Sequence, residues 1–393
     1  MIDNVKKYPK LRFLNFEKDW EEGSLGDFTS WKSGGTPSKE VEDYWNGNIP
    51  WISASSMIGT KFSDSEKKVT ELGSKKGTRI AKKGSILLLV RGSMLFNKIP
   101  VGIAAKDVTF NQDVKAIIPN DEIDKEFLLQ WFLKSEKSLL GIVAGTGIGA
   151  GKLDTKELHS LNFKFPSLPE QQKIASFLSS VDERIELLER KKEKLEAYKK
   201  GVMQQIFSQK IHFKHDDGSE FPDWEEKRLG NICDIVKGQQ LNKSELEMEG
   251  TYPAINGGIE PSGYSGDWNT EANTITISEG GNSCGFVNFI KTKFWSGGHC
   301  YTLQKISKIA HVPFLFQLLK FNEKKIMKLR VGSGLPNIQK GDIQKLLLMV
   351  PCLPEQKKIA VFLNTIDENL ETLDSQIQGF RTWKKGLLQQ MFV

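Results

Sequence analysis

Apolar residues recur at three- and four-residue steps along two long, otherwise polar segments, one near the middle of the chain and one at its C-terminal end. This spacing puts the apolar side chains on one face of an α-helix, and its persistence over many turns predicts a coiled-coil seam. A helix of about 38 residues would be ~57 Å long. The apolar seam positions are Ile174, Leu178, Val181, Ile185, Leu188, Leu195, Val202 and Ile206, then Ile359, Leu363, Ile366, Leu370, Leu373, Ile377, Phe380, Leu387 and Met391, with Lys192, Lys199 and Lys384 as exceptions.

The two segments are copies of one another. Pro166–Leu178 reads PSLPEQQKIASFL and Pro351–Leu363 reads PCLPEQKKIAVFL, and the offset of 185 residues holds without a gap to Phe207 and Phe392. Twenty of these 42 aligned positions are identical, which is too many for shared composition. The obvious partner for each seam is the other copy, and antiparallel pairing would put the flanking domains at opposite ends, related by an approximate two-fold axis. The alternative is that each helix packs separately on its own domain.

The segments before the two predicted helices differ in sequence but follow one plan. Asp19-Trp20-Glu21-Glu22 reappears as Asp223-Trp224-Glu225-Glu226. Each segment then has a Gly-rich turn, several β-like runs, a helix rich in aromatic residues and a last apolar strand. The β-like runs are Ile49–Ser53, Ser85–Val90, Val114–Ile118, Thr274–Ser278 and Gly285–Ile290, and the helices are Glu126–Leu133 and Val312–Leu319.

The predicted fold is therefore α+β. Two mixed α/β domains are separated by two long helices that form an antiparallel coiled coil, with a pseudo-two-fold internal repeat. The predicted boundaries are residues 1–167 for the first domain, 168–208 for the central helix, 209–222 for a linker, 223–350 for the second domain and 351–393 for the C-terminal helix.

Composition and cysteine spacing narrow the class of protein. The 393-residue chain is 38% hydrophobic and 26% charged, as in folded globular proteins, and its net charge of +6 weakly favours a polyanionic partner. The four cysteines are far apart without a CxxC pair, so neither a disulfide framework nor a zinc site is expected. Met1–Lys7 has no apolar run after it and Ile86–Val90 is too short to span a membrane, so we expect a cytoplasmic protein.

Polar loops between the β-like runs are the candidate binding residues. Arg, Asn and Gln side chains can form paired hydrogen bonds with base edges, whereas Lys and Ser mostly contact phosphates. For a single loop, ordinary turn chemistry explains such residues as well. The predicted DNA-binding residues are Lys32, Thr36, Ser53, Ser55, Arg91, Ser93, Asn111 and Gln112 in the first domain and Lys237, Gln239, Gln240, Asn256, Asn282 and His299 in the second.

Three motifs that suggest catalysis or metal binding are each better explained otherwise. Gly145–Lys152 lacks the first glycine and the Ser/Thr of a phosphate loop. Pro222–Lys227 places the Asp and the Glu-x-Lys of a nuclease-like motif too close together, and the chain has no Pro-Pro dipeptide for an amino-methyltransferase loop. His212, His215 and Asp216 lie in the linker without a further nearby ligand. We expect no catalytic residue, no metal and no cofactor in this chain.

The duplicated Leu-Pro-Glu-Gln helix opening and Lys-Lys-Gly-x-x-Gln-Gln-x-Phe ending resemble the conserved regions of the type I restriction–modification specificity (S, HsdS) subunits. Gly34–Ser38 and Asn111-Gln112 also resemble the recognition domains of that family, whereas Gln239-Gln240 departs from its Gly-Gly-Thr-Pro pattern. The resemblance implies that each domain reads a short half-site of double-stranded DNA in the major groove, with the paired helices setting the gap between half-sites.

It further implies two methyltransferase (M) subunits and two restriction (R) subunits as partners, with S-adenosylmethionine, ATP and Mg²⁺ on those subunits. A stand-alone DNA-binding or regulatory protein with this duplicated scaffold remains the alternative, and a nuclease or methyltransferase is disfavoured. The residues predicted to bind partners lie at the repeated helix ends: Glu170, Gln171, Lys173, Lys200, Gln204, Gln205, Glu355, Gln356, Lys358, Lys385, Gln389 and Gln390.

Overall fold

The computed structural model describes residues 8–147, 149–332, 334 and 336–393. It contains two compact units, one running up to Glu189 and including Gln376–Val393, the other formed by Arg190–Ser375. Each unit therefore holds one mixed α/β domain, part of its own long helix and part of the long helix from the other repeat. The boundaries between the units fall within the long helices.

The first unit is built on three sheets and a short two-stranded ribbon. Strand orders are β2-β11-β7-β9-β4, β5-β3-β10-β6 and β12-β13-β8, and β1 pairs with β14. The strands are β1 Glu21–Ser24, β2 Thr29–Ser33, β3 Trp45–Ile52, β4 Lys61–Phe62, β5 Lys68–Val69, β6 Arg79–Ala81, β7 Ile86–Leu89, β8 Arg91–Gly92, β9 Val101–Ala104, β10 Val108–Phe110, β11 Val114–Pro119, β12 Ala144–Gly145, β13 Gly151–Lys152 and β14 Asn162–Phe165; the helices are α1 Glu71–Lys76, α2 Lys125–Lys134, α3 Glu136–Gly141, α4 Thr155–His159 and the long α5 Leu168–Phe207.

The second unit repeats this plan with fewer strands. Strand orders are β16-β22-β19-β20 and β18-β17-β21, and β15 pairs with β23. The strands are β15 Glu225–Arg228, β16 Asp234–Lys237, β17 Tyr252–Ile255, β18 Gly263–Ser265, β19 Thr274–Ser278, β20 Val287–Ile290, β21 Trp295–Ser296, β22 Cys300–Gln304 and β23 Leu347–Val350; the helices are α6 Leu229–Ile232, α7 Val312–Phe321, α8 Glu323–Met327, α9 Lys340–Gln344 and the long α10 Leu353–Met391.

The strongest sequence patterns form the core of each domain. Ile86–Leu89, an unbroken apolar run, is completely buried as β7, and the aromatic helix α2 packs Phe127 and Phe132 into the same core. The side chain of Asp124 caps α2 by accepting hydrogen bonds from two backbone N–H groups of its first turn. In the second domain the equivalent helix α7 buries Phe314, Leu315 and neighbouring leucines. The prediction of mixed α/β domains is confirmed.

The long helices pair antiparallel within each unit, so the predicted coiled coil is confirmed. Of the 17 predicted apolar seam positions, 13 are buried, for example Leu178 at 0% and Leu363 at 0% exposure, and Leu195, Val202, Leu370 and Phe380 are half-buried. The three seam lysines each contact a carboxylate of the opposite helix: Lys192 pairs with Asp374, Lys199 with Asp367 and Lys384 with Asp182, each at 2.6 Å. The alternative of separately packed helices is therefore wrong.

Phe207 and Phe392, the last residues of the two 42-residue repeats, each pack on a tryptophan near the start of a domain. In the first unit the ring of Phe392 lies edge-on to Trp20 at 6.3 Å, and in the second Phe207 lies edge-on to Trp224 at 6.4 Å. The C-terminal end of the first repeat thus packs in the core of the second domain, and the C-terminal end of the second repeat packs in the core of the first domain. This contact explains why the Asp-Trp-Glu-Glu segment and the terminal Phe both occur twice.

Several residues expected in loops lie at strand ends instead. Lys32, Arg91 and Lys237 belong to β2, β8 and β16. In each case the backbone pairs with a neighbouring strand that is distant in sequence, such as Arg91 with Lys152 of β13. A pattern of polar residues along the chain does not reveal such pairings.

Candidate nucleic-acid interface

In the first unit, four predicted loops lie together at one edge, where the ends of strands from two sheets meet. Strands β3 and β10 pair in parallel, with Ile52 opposite Phe110, so the loops that follow both strands leave the same edge. Strands β2 and β7 both run antiparallel to β11, and their last residues lie beside its first residues. The loops after β2, β3, β7 and β10 therefore lie together, although up to 79 residues separate them in sequence.

The predicted residues of the first domain follow this edge, with Lys32, Ser55, Arg91, Ser93 and Gln112 exposed. Ser53 and Ser55 share a hydrogen bond at 3.2 Å in the loop after β3.

Thr36 and Gln112 lie close together at this edge. The Thr36 hydroxyl donates a hydrogen bond to Gln112 Oε1 at 2.7 Å, which leaves the Gln112 amide nitrogen near the surface.

Asn111 has a different environment from the residues around it. It is only 7% exposed, and its side-chain oxygen accepts a hydrogen bond from the backbone N–H of Asp113 at 3.1 Å. This Asx turn shapes the loop after β10. Its amide also donates to Asp113 Oδ2 at 3.3 Å, so the structure gives Asn111 a loop-forming role beneath the exposed residues.

The second unit builds the same edge from different side chains. Strands β17 and β21 pair in parallel, with Ile255 opposite Ser296, and the loops after them carry Asn256 and His299. Asn256 Oδ1 accepts a hydrogen bond from the His299 backbone N–H at 3.1 Å. Strand β16 ends beside the start of β22, which adds Lys237, Gln239 and Gln240 to the edge.

Asn282 lies in the turn after β19 and completes the set predicted for this domain. The hydroxyls of Ser278 and Ser283, on either side of this turn, both donate to the Gly257 carbonyl. Asn282 is exposed, as are Lys237, Gln239, Gln240 and His299, whereas Asn256 is half-buried.

A buried carboxylate lies under this second edge. Glu279 is 4% exposed, and its Oε1 accepts hydrogen bonds from Lys237 Nζ at 2.6 Å and from the Tyr301 hydroxyl at 3.0 Å. Its Oε2 lies 3.5 Å from His299 Nδ1. Burial and the contact with Glu279 raise the pKa of Tyr301 to about 12, so Tyr301 keeps its proton and remains a donor.

Asp113 is a half-buried carboxylate in the loop after β10 of the first domain. Burial raises the pKa of Asp113, and the charge of Arg91 partly opposes that rise. Sequence reasoning missed Asp113 and Glu279 because it favoured hydrogen-bond donors, although both carboxylates lie in or next to the loops that it selected. It also missed Lys152, which is exposed on β13 opposite Arg91.

Close backbone approach requires glycine at one equivalent point in each domain. A Cβ atom on Gly34 would lie 2.1 Å from the Phe110 carbonyl oxygen, and one on Gly238 would lie 2.3 Å from the Gly297 carbonyl oxygen. Side chains cannot be accommodated at these distances. Gly238 thus performs in the second domain the role of the first domain's Gly-Gly turn, despite the different residues after it.

Four of the twelve residues predicted to bind partners are buried inside their own unit. Gln171 and Gln356 are 0% exposed, and Glu170 and Glu355 are 1% and 2% exposed. Glu170 holds Arg12 through two hydrogen bonds of 2.8 Å, and Glu355 accepts one from Trp224 Nε1 at 3.1 Å. Burial raises the pKa of Glu355, and the Trp224 hydrogen bond partly offsets it. These four residues attach the domain to its helix and are not part of the partner surface proposed below.

The other eight residues predicted to bind partners lie nearer the surface. Lys358 is half-buried and donates a hydrogen bond to the Lys214 carbonyl at 2.7 Å. The exposed residues are Lys173, Lys200, Gln204, Gln205, Lys385, Gln389 and Gln390.

The described residues give no support to the three catalytic or metal-binding motifs. Gly151–Lys152 is a strand paired with β8 rather than the start of a helix, and Ile148 of the same motif lies outside the described residues. Glu225 and Lys227 lie on one strand and contact each other. Within residues 8–147, 149–332, 334 and 336–393 no cluster of three or more His, Cys, Asp or Glu side chains could hold a metal ion, and no helix is long and apolar enough to cross a membrane.

Comparison with known protein families agrees with this duplicated architecture. The model of the type I restriction modification DNA specificity domain matches residues 17–197 and again residues 222–378, which together make up most of the chain. The chain therefore belongs to the family of type I restriction–modification specificity subunits.

Individual relatives match over the whole chain or over half of it. The MjaIX specificity subunit of Methanocaldococcus jannaschii is 27% identical and covers 95% of this chain and 93% of its own. The EcoR124I/EcoR124II specificity subunit of Escherichia coli is 33% identical over 44% of this chain and 43% of its own.

Solved structures share the fold. The S subunit of a type I restriction–modification system from M. genitalium superposes with a TM-score of 0.68 at 22% identity, covering 98% of this chain and 99% of its own. A chain from work on complex assembly and conformational transition of the type I R-M system superposes with a TM-score of 0.55 at 16% identity, covering 96% and 98%.

Proposed function

We propose that this specificity subunit reads a bipartite, asymmetric DNA target, one half-site with each domain edge. The observation that carries the proposal is that one edge architecture occurs twice with different exposed side chains. The first edge presents Arg91 and Gln112, and the second presents Lys237, Gln239 and Asn282. Arg, Gln and Asn can discriminate bases in the major groove, and lysine can hold the phosphate backbone. Different side chains on one scaffold suit two different half-sites.

The same duplication supports two copies of a methyltransferase subunit as partners. Identical subunits need equivalent surfaces, and exposed residues of the helix ends occur at repeat-related positions: Lys200 with Lys385, Gln204 with Gln389 and Gln205 with Gln390. The proposed assembly adds two restriction subunits. This chain is non-catalytic in the proposal, and S-adenosylmethionine, ATP and Mg²⁺ belong to the partner subunits.

Mapping of methylated bases tests the proposal. Co-expression of the full chain with its cognate methyltransferase subunit is expected to methylate adenine at one split, asymmetric motif. Replacing residues 223–350 by the equivalent domain of a relative is expected to change one half of that motif and leave the other half intact. Methylation at a continuous palindrome would contradict the proposal, and methylation by the purified chain alone would contradict its non-catalytic role.

Single substitutions at the first edge test which residues read bases. Arg91→Ala and Gln112→Ala are each expected to lower the discrimination against wrong bases at one position of the first half-site by roughly 5- to 150-fold. The reason is that a good side chain–base contact contributes about 1–3 kcal/mol of discrimination. The second half-site serves as the internal control. Lys32→Ala removes an exposed charge suited to a phosphate contact, so it is expected to weaken binding to all sequences and to reduce the salt dependence. If Arg91→Ala and Gln112→Ala both keep the wild-type base preference in the first half-site, these two residues do not read bases.

A further inference from the structure

One polar network occurs twice, at positions related by the repeat. In the first unit it joins Gln130 of α2, Asp182 of α5 and Lys384 of α10. Lys384 Nζ lies 2.6 Å and 2.8 Å from the two carboxylate oxygens of Asp182, and the Gln130 amide donates to Asp182 Oδ2 at 3.2 Å. A single carboxylate thus connects the domain, its own long helix and the opposite long helix.

The second unit contains the equivalent network. Lys199 Nζ lies 2.6 Å and 2.7 Å from the carboxylate oxygens of Asp367, and the Gln317 amide donates to Asp367 Oδ2 at 2.7 Å. The same amide nitrogen donates to Asn364 Oδ1 at 2.9 Å. The 185-residue offset relates Asp182 to Asp367 and Lys199 to Lys384, while the glutamines come from the equivalent domain helices α2 and α7.

These side chains are far less exposed than ordinary surface ion pairs. Lys384 and Lys199 are 12% and 14% exposed, and the two glutamines are 2% and 0% exposed. A lysine at a coiled-coil seam position costs stability relative to an apolar residue, and a polar seam residue is best known for specifying how helices pair. Stability alone therefore does not account for two copies of the network at otherwise apolar seam positions.

The geometry points to a positioning role. We infer that Asp182 and Asp367 each hold a recognition domain at one angle on the helix pair and thereby restrict the protein to one gap length between half-sites. The inference rests on the proposed function. Each additional base pair moves the second half-site by about 3.4 Å and turns it by roughly 34°. A domain helix bonded to that carboxylate is held against both long helices and cannot follow the turn, whereas a domain released from its carboxylate can rock on the helices.

A gap-length library tests this role in the complex with the methyltransferase subunit. The two half-sites mapped for the wild type are separated by the native gap or by one or two base pairs more or fewer, and adenine methylation is measured for each gap. The variants are Asp182→Asn and Asp367→Asn, which keep the side-chain shape and remove the charge.

Two further variants serve as a control and as a second reporter. The matched control is Glu371→Gln, one turn from Asp367, which removes an exposed ion pair with Lys291 in which both side chains are more than 60% exposed. The reversed pair, Lys199→Asp with Asp367→Lys, restores an ion pair between the two helices but removes the carboxylate that accepts from Gln317, so it replaces Asp367→Asn as the reporter if that variant does not assemble.

We expect the preference for the native gap over a gap changed by one base pair to fall at least tenfold in both Asn variants, with the bases of each half-site unchanged. The control is expected to behave like the wild type. The reversed pair is expected to lose the preference as the Asn variants do, because Gln317 no longer has a carboxylate at position 367 to bind. Unchanged gap preference in variants that assemble, whatever their melting temperature, would overturn the inference. A changed base preference would also overturn it. If the wild type methylates no split motif, it is the proposed function that fails.

Discussion

Deleting one heptad from each long helix is expected to abolish methylation at the native gap. The deletion removes residues 187–193 from α5 and 373–379 from α10, segments that face each other because Lys192 pairs with Asp374 and Lys199 with Asp367. It shortens the helix pair by about 10 Å, or roughly three base pairs. At the native gap the two domains can then no longer bind both half-sites at once, so methylation there should fall at least ~100-fold.

The remaining activity of this variant is equally informative. A seven-residue deletion keeps the apolar seam in phase and retains the pairs of Lys199 with Asp367 and Lys384 with Asp182. The half-site bases are therefore expected to stay the same, with any remaining methylation at gaps shorter than the native one and at a low level, since three base pairs also turn one half-site by roughly 100°. Methylation is measured on the gap library, with helix content by circular dichroism as the control for folding. Near-normal use of the native gap would show that the helices do not set the spacing.

Replacing Gln356 by leucine is expected to destabilise the second unit by about 2–6 kcal/mol. Gln356 Oε1 accepts a hydrogen bond from the His311 backbone N–H at 2.8 Å, and its amide donates to the carbonyl groups of Ile309 at 2.8 Å and Pro351 at 2.9 Å. Leucine leaves the half-buried His311 N–H and the buried Pro351 carbonyl without this partner, at a cost of about 1–3 kcal/mol each, whereas the carbonyl of Ile309, which is 45% exposed, can bind water instead. Such a loss is comparable to the total stability of many domains, about 5–15 kcal/mol.

The repeat provides a second test of the same interaction. Gln171 makes the equivalent bonds to the Asp124 N–H at 2.8 Å and to the carbonyl groups of Glu122 and Pro166 at 2.9 Å and 2.8 Å. Gln171→Leu is expected to destabilise the first unit to a similar extent, whereas exposed Gln204→Leu is expected to change stability by less than about 0.5 kcal/mol. Urea unfolding of the full chain measures all three. A loss below about 1 kcal/mol in both buried variants would contradict the assigned role.

The Gln-containing motif shows why a repeated pattern is easier to detect than to interpret. The duplicated Glu-Gln pairs at residues 170–171 and 355–356 were predicted to bind partners because both repeats contain them. They are instead buried, where they attach each domain to its helix. A shared structural need and a shared partner produce the same repetition, and only the burial of the side chains distinguishes them.

The candidate interface was predictable in its composition but not in its assembly. Exposed polar residues such as Arg91, Gln112 and Asn282 could be selected because their side chains suit DNA contacts. Their proximity depends on the parallel pairs β3–β10 and β17–β21, whose strands are distant in sequence. The carboxylate of Glu279 was missed because hydrogen-bond donors were favoured, and its contacts with Lys237 and Tyr301 join residues of other strands.

The sequence by itself determined the two long helices, their seam, the duplication and the α+β character of the domains, because apolar periodicity and repetition are local properties of the chain. Tertiary structure alone decided which side chains meet. The seam lysines appeared in sequence only as exceptions to an apolar pattern, and antiparallel pairing brings each of them to a carboxylate 168 to 202 residues away. The physical reason is that ion pairs and buried hydrogen bonds depend on distances of a few ångströms between segments whose relative register no local pattern specifies.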